Sequence, residues 1–315
     1  MLETKGGAAR HAHHARLVER GKGMAALRAV VAHPCDEASL RAAVEAAEHG
    51  LLEPTLVGPR HRIERLAAQH GIPLSGLRLV DVPHSHAAAA RAVDLIRAGE
   101  ASILVKGSLH TDELMAEVLR KDTGLRTGRR VSQVFVMDLP IYPKPLFVTD
   151  AAVHIFPTLE DKVDICRNVV DLAHALGIAR PKVALLSAVE TVTSKIPSTI
   201  DAAALCKMAD RRQITGAILD GPLAMDNAVD AEAARAKGID SPVAGDADVL
   251  LAPDLEAGNM VAKLLSFLGG AEAAGIVLGA RVPIVLTSRS DGVRARLASA
   301  AVAVLLCHAR RSLQA

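Results

Sequence analysis

The sequence predicts an α/β protein whose mostly parallel sheets are covered by helices. Short runs of β-type apolar residues alternate with amphipathic helical windows after residue 25, which is the rhythm of βαβ units. One of these runs, PTLVGP, closes on Gly58 and Pro59, two residues that typically end a strand. The chain has 315 residues, 50% of them hydrophobic. It can therefore bury a core large enough for two domains or for one large α/β domain.

The first part of the chain alternates strands with helices. Asp36 opens the stretch DEASLRAAVEAAEHGL as a capping residue, and the apolar residues of this stretch recur at helical spacing. The following stretches are the strand PTLVGP, the strand LRLVDV, the helix SHAAAARAVDLIRAG, the strand ASILVKG and the helix TDELMAEVLRK. This order predicts strands that run parallel to one another.

The middle of the chain departs from this pattern. The stretches RRVSQVFVMDLP and KPLFVTDAAVHI follow each other without a helix, joined by the Pro-rich turn LPIYPKP. We therefore expect them to pair antiparallel. Alternation then resumes with a helix near 161–176, the strand KVALLS, a helix near 198–209, the strand GAILDG, a helix near 230–237, the strand ADVLLAP, a helix near 255–268, the strand VPIVLT and a helix from about 291 to 308.

Composition argues against several classes of protein. Lys and Arg number 37 against 35 Asp and Glu, and with no Trp and one Tyr the chain has few aromatic platforms for bases, so nucleic-acid binding is not expected. Four widely spaced cysteines form no CxxC pair, which favours buried free thiols in a reducing cytosol. Short apolar runs, and an N-terminal stretch without an apolar signal core, predict no membrane span and a cytoplasmic location.

Residues 1–25 are predicted to form a flexible tail. The histidines His11, His13 and His14 lie in a stretch rich in Gly, Ala and Arg without an acidic partner. Such a stretch is more typical of a solvated tail than of a metal site. No metal ligand is therefore predicted.

Polar groups follow several strands, and ligands of parallel sheets bind outside the carboxyl ends of the strands. Lys106, Gly107 and Ser108 follow one strand, where a mobile cation beside free backbone N–H groups suits a phosphate. An ordinary strand-to-helix turn with a surface Lys explains the same residues. On the loop DTGLRTGRRVS, Arg129 and Arg130 can bind an anion through their guanidinium groups, or the loop is simply solvated.

Two later strand ends carry similar groups. In APDLEAGNMVAKLL, Glu256 is a candidate helix cap, Gly258 allows close approach to the backbone, and Asn259 presents an amide. A capped helix with Gly at a packing contact is the simpler explanation. The stretch PIVLTSRSDG ends its strand with a run of polar residues. A purely structural explanation makes Ser288 or Ser290 the cap of the following helix and lets Asp291 stabilise the helix dipole. It does not explain Arg289, because a cation at a helix N-terminus is unfavourable unless an anion lies between them.

Together these segments resemble the phosphate acetyl/butyryl transferase family. The similarity runs from about residue 25 to 312 and rests on the segments LVKGSLHTDELM, RRVSQVFVMDLPIYPKPLFVTDAAVHIFPT, LDGPLAMDNAV, GDADVLLAPDLEAGNM and VPIVLTSRSD. LDGPLAMDNAV and the Pro-rich turn are more like the butyryl-type branch and like the phosphotransacetylase modules fused to enoyl-CoA hydratases.

The resemblance implies reversible transfer of a short acyl group between CoA and inorganic phosphate, by direct attack of the CoA thiol on an acyl phosphate in a ternary complex. It implies two α/β domains like those of isocitrate and isopropylmalate dehydrogenases, with the active site in the interdomain cleft and a homodimeric assembly. We place domain I at residues 26–140 plus 276–315 and domain II at 141–275. CoA or acyl-CoA is expected as a substrate, with no tightly bound cofactor.

In this family a Ser-Arg pair followed by an Asp occupies a strand end, which matches Ser288, Arg289 and Asp291. Classical members place that Asp several residues further on. Arg289 is expected to bind phosphate, and the Ser288 hydroxyl to stabilise charge at the reacting centre. As a base, Asp291 faces a pKa gap from a free thiol worth roughly 6 kcal/mol. Either burial raises its pKa, or Asp291 mainly orients the thiol.

Two other functions agree less well with the sequence. A catalytically silent acyl-CoA-binding regulatory module of the same fold would not need an intact Ser288, Arg289 and Asp291. A decarboxylating dehydrogenase on a similar fold would need a cluster of metal-binding carboxylates and a nucleotide-binding loop, and neither is found in the sequence. The preferred acyl chain length stays open.

Overall fold

The computed structural model describes residues 11–288 and 291–312, which form two compact units. The split unit contains residues 14–129, 274–288 and 291–312, and the middle unit contains residues 130–273 together with 11–13. The unit boundaries lie near 129/130 and 273/274, whereas the sequence suggested 140/141 and 275/276. The first boundary is earlier because the strand before residue 140 pairs with the strand after it, so both belong to one unit.

Eleven strands are assigned in the described residues. They are β1 (Leu27–Ala32), β2 (Leu52–Gly58), β3 (Arg78–Asp81), β4 (Ile103–Lys106), β5 (Ser132–Asp138), β6 (Leu146–Thr149), β7 (Lys182–Leu186), β8 (Ile218–Leu223), β9 (Val249–Leu251), β10 (Glu272–Leu278) and β11 (Ile284–Val285).

The helices over the same residues are α1 (Ala12–Lys22), α2 (Glu37–Glu48), α3 (Arg60–His70), α4 (Ser85–Arg97), α5 (Thr111–Val118), α6 (Leu159–Ala175), α7 (Pro197–Asp210), α8 (Met225–Val229), α9 (Ala231–Ala236), α10 (Leu255–Phe267) and α11 (Val293–Ser312).

The sheet of the split unit has the strand order β3-β2-β1-β4-β11-β10. Its strands are parallel except β10, which runs antiparallel to β11. At its centre, Val31, Leu104 and Val285 are at most 2% exposed. Strands buried on both faces consist of continuous apolar runs, which explains the sequences of β1 and β4. The carboxyl ends of β1, β4 and β11 therefore lie side by side at one edge of the sheet.

The sheet of the middle unit has the order β5-β6-β9-β7-β8. The expected antiparallel pair is confirmed, because β5 runs antiparallel to β6, with Val134 opposite Thr149. The remaining neighbours are parallel. Val148 and Leu250 are fully buried in the core of this unit. The alternation of the sequence has thus produced a mostly parallel α/β sheet in each unit, as predicted.

Several helix ends test the capping predictions. The Asp36 carboxylate accepts the Ser39 N–H at 2.7 Å, so the predicted cap of α2 is confirmed. The cap of α10 is Asp254, which accepts the Ala257 N–H at 2.8 Å, and the expectation for Glu256 is wrong. Glu256 lies in the first turn, two residues beyond the cap position at Asp254.

The N-terminal region also differs from the prediction. Residues 12–22 form α1, where a flexible tail was expected, and Leu17 and Gly21 are buried. A Cβ added to Gly21 would lie 2.8 Å from Leu51 Cδ2 and 3.3 Å from Ala301 Cβ, so the helix packs closely on the split unit at this glycine. The apolar contact orders a stretch whose composition alone suggested solvation.

No helix within the described part of the chain is long and apolar enough to span a membrane. Among the same residues, no three or more His, Cys, Asp or Glu side chains are grouped so that they could hold a metal ion.

Candidate functional site

The carboxyl end of β4 carries Lys106, Gly107 and Ser108, and it is tightly bonded to the end of β1. The N–H groups of Gly107 and Ser108 donate to the carbonyls of Ala32 and His33, each at 2.9 Å. A Cβ on Gly107 would lie 2.4 Å from the Ala32 carbonyl oxygen and 2.5 Å from that of His33. Only glycine fits here, because the two strand ends approach each other through their backbones.

Lys106 is not the mobile cation that the sequence suggested. Its side chain is buried, and Nζ donates to the carbonyls of Gly107 at 3.3 Å and Leu109 at 3.0 Å. The adjacent N–H groups of Gly107 and Ser108 are also bonded rather than free. The reason is that the β1–β4 ladder continues past the assigned strands, which sequence spacing does not reveal. Substrate binding by this strand end stays a prediction.

His33, directly after β1, is a residue that the sequence analysis missed. Its φ of 54° places a non-glycine residue in the left-handed region, which is uncommon and strained. The Ser108 hydroxyl donates to the His33 carbonyl at 2.9 Å, and His33 Nδ1 lies 3.0 Å from the same hydroxyl oxygen. When the single hydroxyl proton is donated to the carbonyl, Nδ1–H is the donor to Ser108 Oγ.

A cavity of about 510 Å³ opens beside His33. Its lining includes His33, Arg62, Ser108, His110 and Glu113. Burial lowers the pKa of His33 below its ordinary value, and the positive charge of Arg62 lowers it further. Glu113 Oε2 is buried and has no hydrogen-bond partner within residues 11–288 and 291–312. The cavity is thus lined by a neutral imidazole and by Glu113, whose Oε2 is buried without a hydrogen bond from the described residues.

The end of β11 forms a short turn that Arg296 fastens to α11. The Ser288 N–H donates to Asp291 Oδ2 at 2.7 Å, and the Asp291 N–H donates to the Ser288 carbonyl at 3.2 Å. Arg296, 6% exposed, donates to the Asp291 carbonyl, the Ser288 carbonyl and Thr287 Oγ1 at 3.1, 2.9 and 2.7 Å. Ser288 and Asp291 are therefore brought together, while Arg289 lies outside the described residues.

The structure also bears on the helix-cap reading of this stretch. Helix α11 begins at Val293, so Ser288 is too far from the helix start to cap it. Ser290 lies outside the described residues. The Asp291 carboxylate closes the turn onto Ser288 by accepting its N–H. Asp291 therefore has a structural role in forming this turn.

Arg129 and Arg130, on the loop before β5, belong to different units. The backbone N–H of Arg129 donates to Thr127 Oγ1 at 3.1 Å, and its side chain is exposed. Arg130 forms ion pairs with Asp161 and Asp164, and its backbone N–H donates to Asp164 Oδ2 at 3.0 Å. Two carboxylates therefore balance the charge of Arg130. Anion binding by either arginine stays a prediction.

In the middle unit, Gly258 and Asn259 fasten α10 to the loop after β6. A Cβ on Gly258 would lie 2.3 Å from the Asp150 carbonyl oxygen, and Asn259 Nδ2 donates to the Ala151 carbonyl at 3.1 Å. Both residues have a packing role here, in line with the simpler of the two explanations offered by the sequence. Glu256 is exposed in the first turn of the same helix. A substrate contact for the three residues stays a prediction.

The same loop contains an Asp–His pair that the sequence analysis also missed. Asp150 is 3% exposed, and its carboxylate accepts the N–H groups of Gln133, Ala152, Val153 and His154 at 3.1 to 3.2 Å. His154 Nδ1 lies 2.8 Å from Asp150 Oδ2. This hydrogen bond raises the pKa of His154 above its ordinary value. The spacing Asp-x-x-x-His directly after a strand was the available signal.

A comparison with protein families decides the identity. The model described as "Phosphate acetyl/butaryl transferase" matches residues 84–304, well over half of the chain. The chain belongs to this family. The resemblance drawn from the sequence is confirmed, and the protein is an acyltransferase.

Individual relatives agree with the family. A phosphate acetyltransferase of Rhizobium meliloti is 63% identical over 299 residues, 95% of each chain. A phosphate butyryltransferase of Clostridium acetobutylicum is 41% identical over 271 residues, 86% of this chain and 90% of that relative. A branched-chain phosphotransacylase from Enterococcus faecalis V583 superposes with a TM-score of 0.78 at 30% identity, covering 90% of this chain and 99% of that one. The predicted α/β fold class of this transferase is thereby confirmed, and a 4-hydroxythreonine-4-phosphate dehydrogenase from Klebsiella pneumoniae shares the fold with a TM-score of 0.55 at 14% identity, covering 90% of this chain and 99% of that one.

Proposed function

We propose that this transferase catalyses reversible transfer of an acetyl group between CoA and inorganic phosphate. The observation that carries the proposal is the 63% identity, over 95% of both chains, to a phosphate acetyltransferase. The butyryltransferase relative is 41% identical, which makes acetyl the first choice and butyryl or propionyl slower substrates. CoA, acyl-CoA, phosphate and acyl phosphate act as substrates, and no tightly bound cofactor takes part.

We propose direct transfer in a ternary complex at the end of β11. Arg289 binds the phosphate, because its planar guanidinium matches two phosphate oxygens. Ser288 directs its hydroxyl at the oxyanion that develops on the acyl carbonyl. The three hydrogen bonds from Arg296 to this turn support the assignment, since they fix the backbone on both sides of Arg289. Asp291 closes the turn, and its role as thiol base stays a prediction.

The other predicted residues have supporting parts in this proposal. The end of β4 lies beside the reacting groups, since β4 is the parallel neighbour of β11. Its residues Lys106, Gly107 and Ser108 therefore form one side of the proposed substrate site. Arg129, with its exposed side chain, contacts phosphate groups of CoA, and Arg130, Glu256, Gly258 and Asn259 shape the substrate surface of the middle unit. We further propose a homodimer in the cytoplasm, where the four free cysteines stay reduced.

The proposal is tested by initial rates with acetyl-, propionyl- and butyryl-CoA at varied phosphate concentrations. We expect the highest kcat/KM with acetyl-CoA, and double-reciprocal lines that intersect, because both substrates must be bound before transfer. Parallel lines would indicate a covalent acyl-enzyme and contradict direct transfer. A clear preference for butyryl-CoA would retain the family and overturn the choice of acetyl.

A further inference from the structure

The hydrogen bonds around Ser108 favour one tautomer of the His33 imidazole. Nδ1–H donates to Ser108 Oγ, and the Ser108 hydroxyl donates to the His33 carbonyl. The Cys35 N–H, at 3.3 Å, adds a further donor to Ser108 Oγ. Nε2 is consequently the unprotonated nitrogen of a neutral ring. Within residues 11–288 and 291–312, no hydrogen bond occupies Nε2, and the ring lines the 510 Å³ cavity.

The charged groups around His33 come from three helices. Burial and Arg62 of α3 lower the pKa of His33, while Glu113 of α5 and Asp36 at the cap of α2 raise it by smaller amounts. Cys35 stays a neutral thiol, since burial raises its pKa to about 11. The net effect is downward from 6.5, so the imidazole is neutral and able to accept a proton at neutral pH.

Sheet register places His33 near the predicted reaction centre. Ala32 pairs with Lys106 across β1 and β4, and Val285 pairs with Val105 across β11 and β4. Continued beyond the strands, this register sets His33 and Ser288 on either side of Gly107 and Ser108, two strand spacings or about 10 Å apart. The Nδ1 bond to Ser108 shows that the imidazole leans toward β4, which is also the side of β11.

The charges around Arg296 and His33 also indicate that the ends of β1 and β11 are close to each other. Arg296, which fastens the Ser288 turn, is influenced by the charges of both Asp36 and Asp291. Asp36 also influences His33. The ends of β1 and β11 thus share one electrostatic environment in the split unit.

Asp291 is less suited to accept a proton. Its carboxylate already accepts the Ser288 N–H at 2.7 Å and is thereby engaged in closing the turn. A free Asp has a pKa of about 3.9, and a free His about 6.5, against about 8.5 for a thiol. With these free values, proton transfer from the thiol to an imidazole has the smaller free-energy gap, and the burial that lowers the pKa of His33 reduces this advantage.

Resting on the proposed acyl transfer, we propose that His33 Nε2 is the general base that accepts the CoA thiol proton, with Asp291 shaping the turn. The sulfur lone pair attacks the acyl carbonyl, a C–S bond forms, and the C–O bond to phosphate breaks. The imidazolium then gives the same proton to the departing phosphate, so that protons and charge balance and His33 is neutral again.

The test uses His33→Asn, because Asn tolerates positive φ and its side-chain amide is able to donate to Ser108 as Nδ1–H does. We expect a melting temperature close to wild type and a kcat at pH 7 lower by about 10²–10⁴-fold. The loss should shrink as pH rises toward the thiol pKa of about 8.5, where thiolate forms without a base. A purely structural role would give a loss that does not depend on pH.

Three further measurements keep the inference falsifiable. His33→Gly also accepts a φ of 54°, and added imidazole should restore part of its activity, with substituted imidazoles acting according to their pKa. His61→Asn, at an exposed histidine of α3, is the matched control and should match wild type. A His33→Asn enzyme with wild-type rates and pH profile, or a large loss confined to Asp291→Asn, would overturn the assignment. In either case an active wild-type enzyme leaves the proposed function intact, whereas an inactive wild type refutes that function itself.

Discussion

Arg296→Lys is the substitution whose effect the structure defines most closely. The Arg296 side chain is 6% exposed and makes three hydrogen bonds to the turn at the end of β11. A lysine ammonium on a single stem is able to keep one of them, so two bonds from a charged donor are lost. Such bonds contribute about 1.5–3 kcal/mol each, and water is able to replace the partner at exposed Ser288. We therefore expect the free energy of unfolding to fall by about 3 kcal/mol, the lower end of the range.

Thermal unfolding and steady-state kinetics measure this prediction. For a unit of this size, about 3 kcal/mol corresponds to a fall in Tm of roughly 6–12 °C. Because Ser288 loses its anchor, kcat should fall about ten- to a hundredfold. Arg311→Lys, at an exposed arginine near the end of the same helix, is the matched control and should change neither quantity. An Arg296→Lys variant with wild-type Tm and kcat would refute the argument that these bonds fix the reactive turn.

Three other predictions concern the anion site, metals and pH. Arg289→Lys keeps the charge but loses the planar guanidinium, so the KM for acyl phosphate or phosphate should rise and kcat should fall substantially; unchanged kinetics would exclude phosphate binding by Arg289. Because the proposed anion-binding groups are side chains and backbone, activity should survive chelation with EDTA, and a loss reversed by one added metal would contradict this. The hydrogen bond to Asp150 raises the pKa of His154 in the folded protein. The contribution of this pair to folding stability should therefore be fully present below about pH 6.5, the ordinary pKa of His, and should disappear as the pH rises through the pKa of the folded state. Urea unfolding of wild type and His154→Asn across pH should therefore show the largest difference at low pH, and a difference that grows with pH would exclude this interaction as its source.

The elements that the sequence predicted correctly have strong local signals. The apolar runs of β1 and β4 and the spacing of α2 depend on periodicity, and the cap at Asp36 depends on residue type at one position. The antiparallel pair of β5 and β6 followed from the short connection between them. Such features depend on neighbouring residues, so one sequence suffices to predict them.

The errors arise where distant residues decide. Lys106 ends a strand like many surface lysines, but its ammonium is bonded inside the β4–α5 turn. The His33 ring is held by a hydrogen bond to Ser108, which is 75 residues further along the chain. For α10, by contrast, the signal was present: Asp254 stands directly before the first helical residue, and Glu256 was preferred although it lies within the first turn.

The most direct test of the central claim is a stoichiometric assay of the purified protein with acetyl-CoA and inorganic phosphate. Free CoA is followed through its thiol, and acetyl phosphate through its hydroxamate. We predict that the two products appear in equal amounts, that neither forms without phosphate, and that acetyl phosphate with CoA drives the reverse reaction. Release of CoA without acetyl phosphate would indicate a thioesterase, and binding of acetyl-CoA without turnover would indicate a silent regulatory module; either result would contradict phosphate acyl transfer.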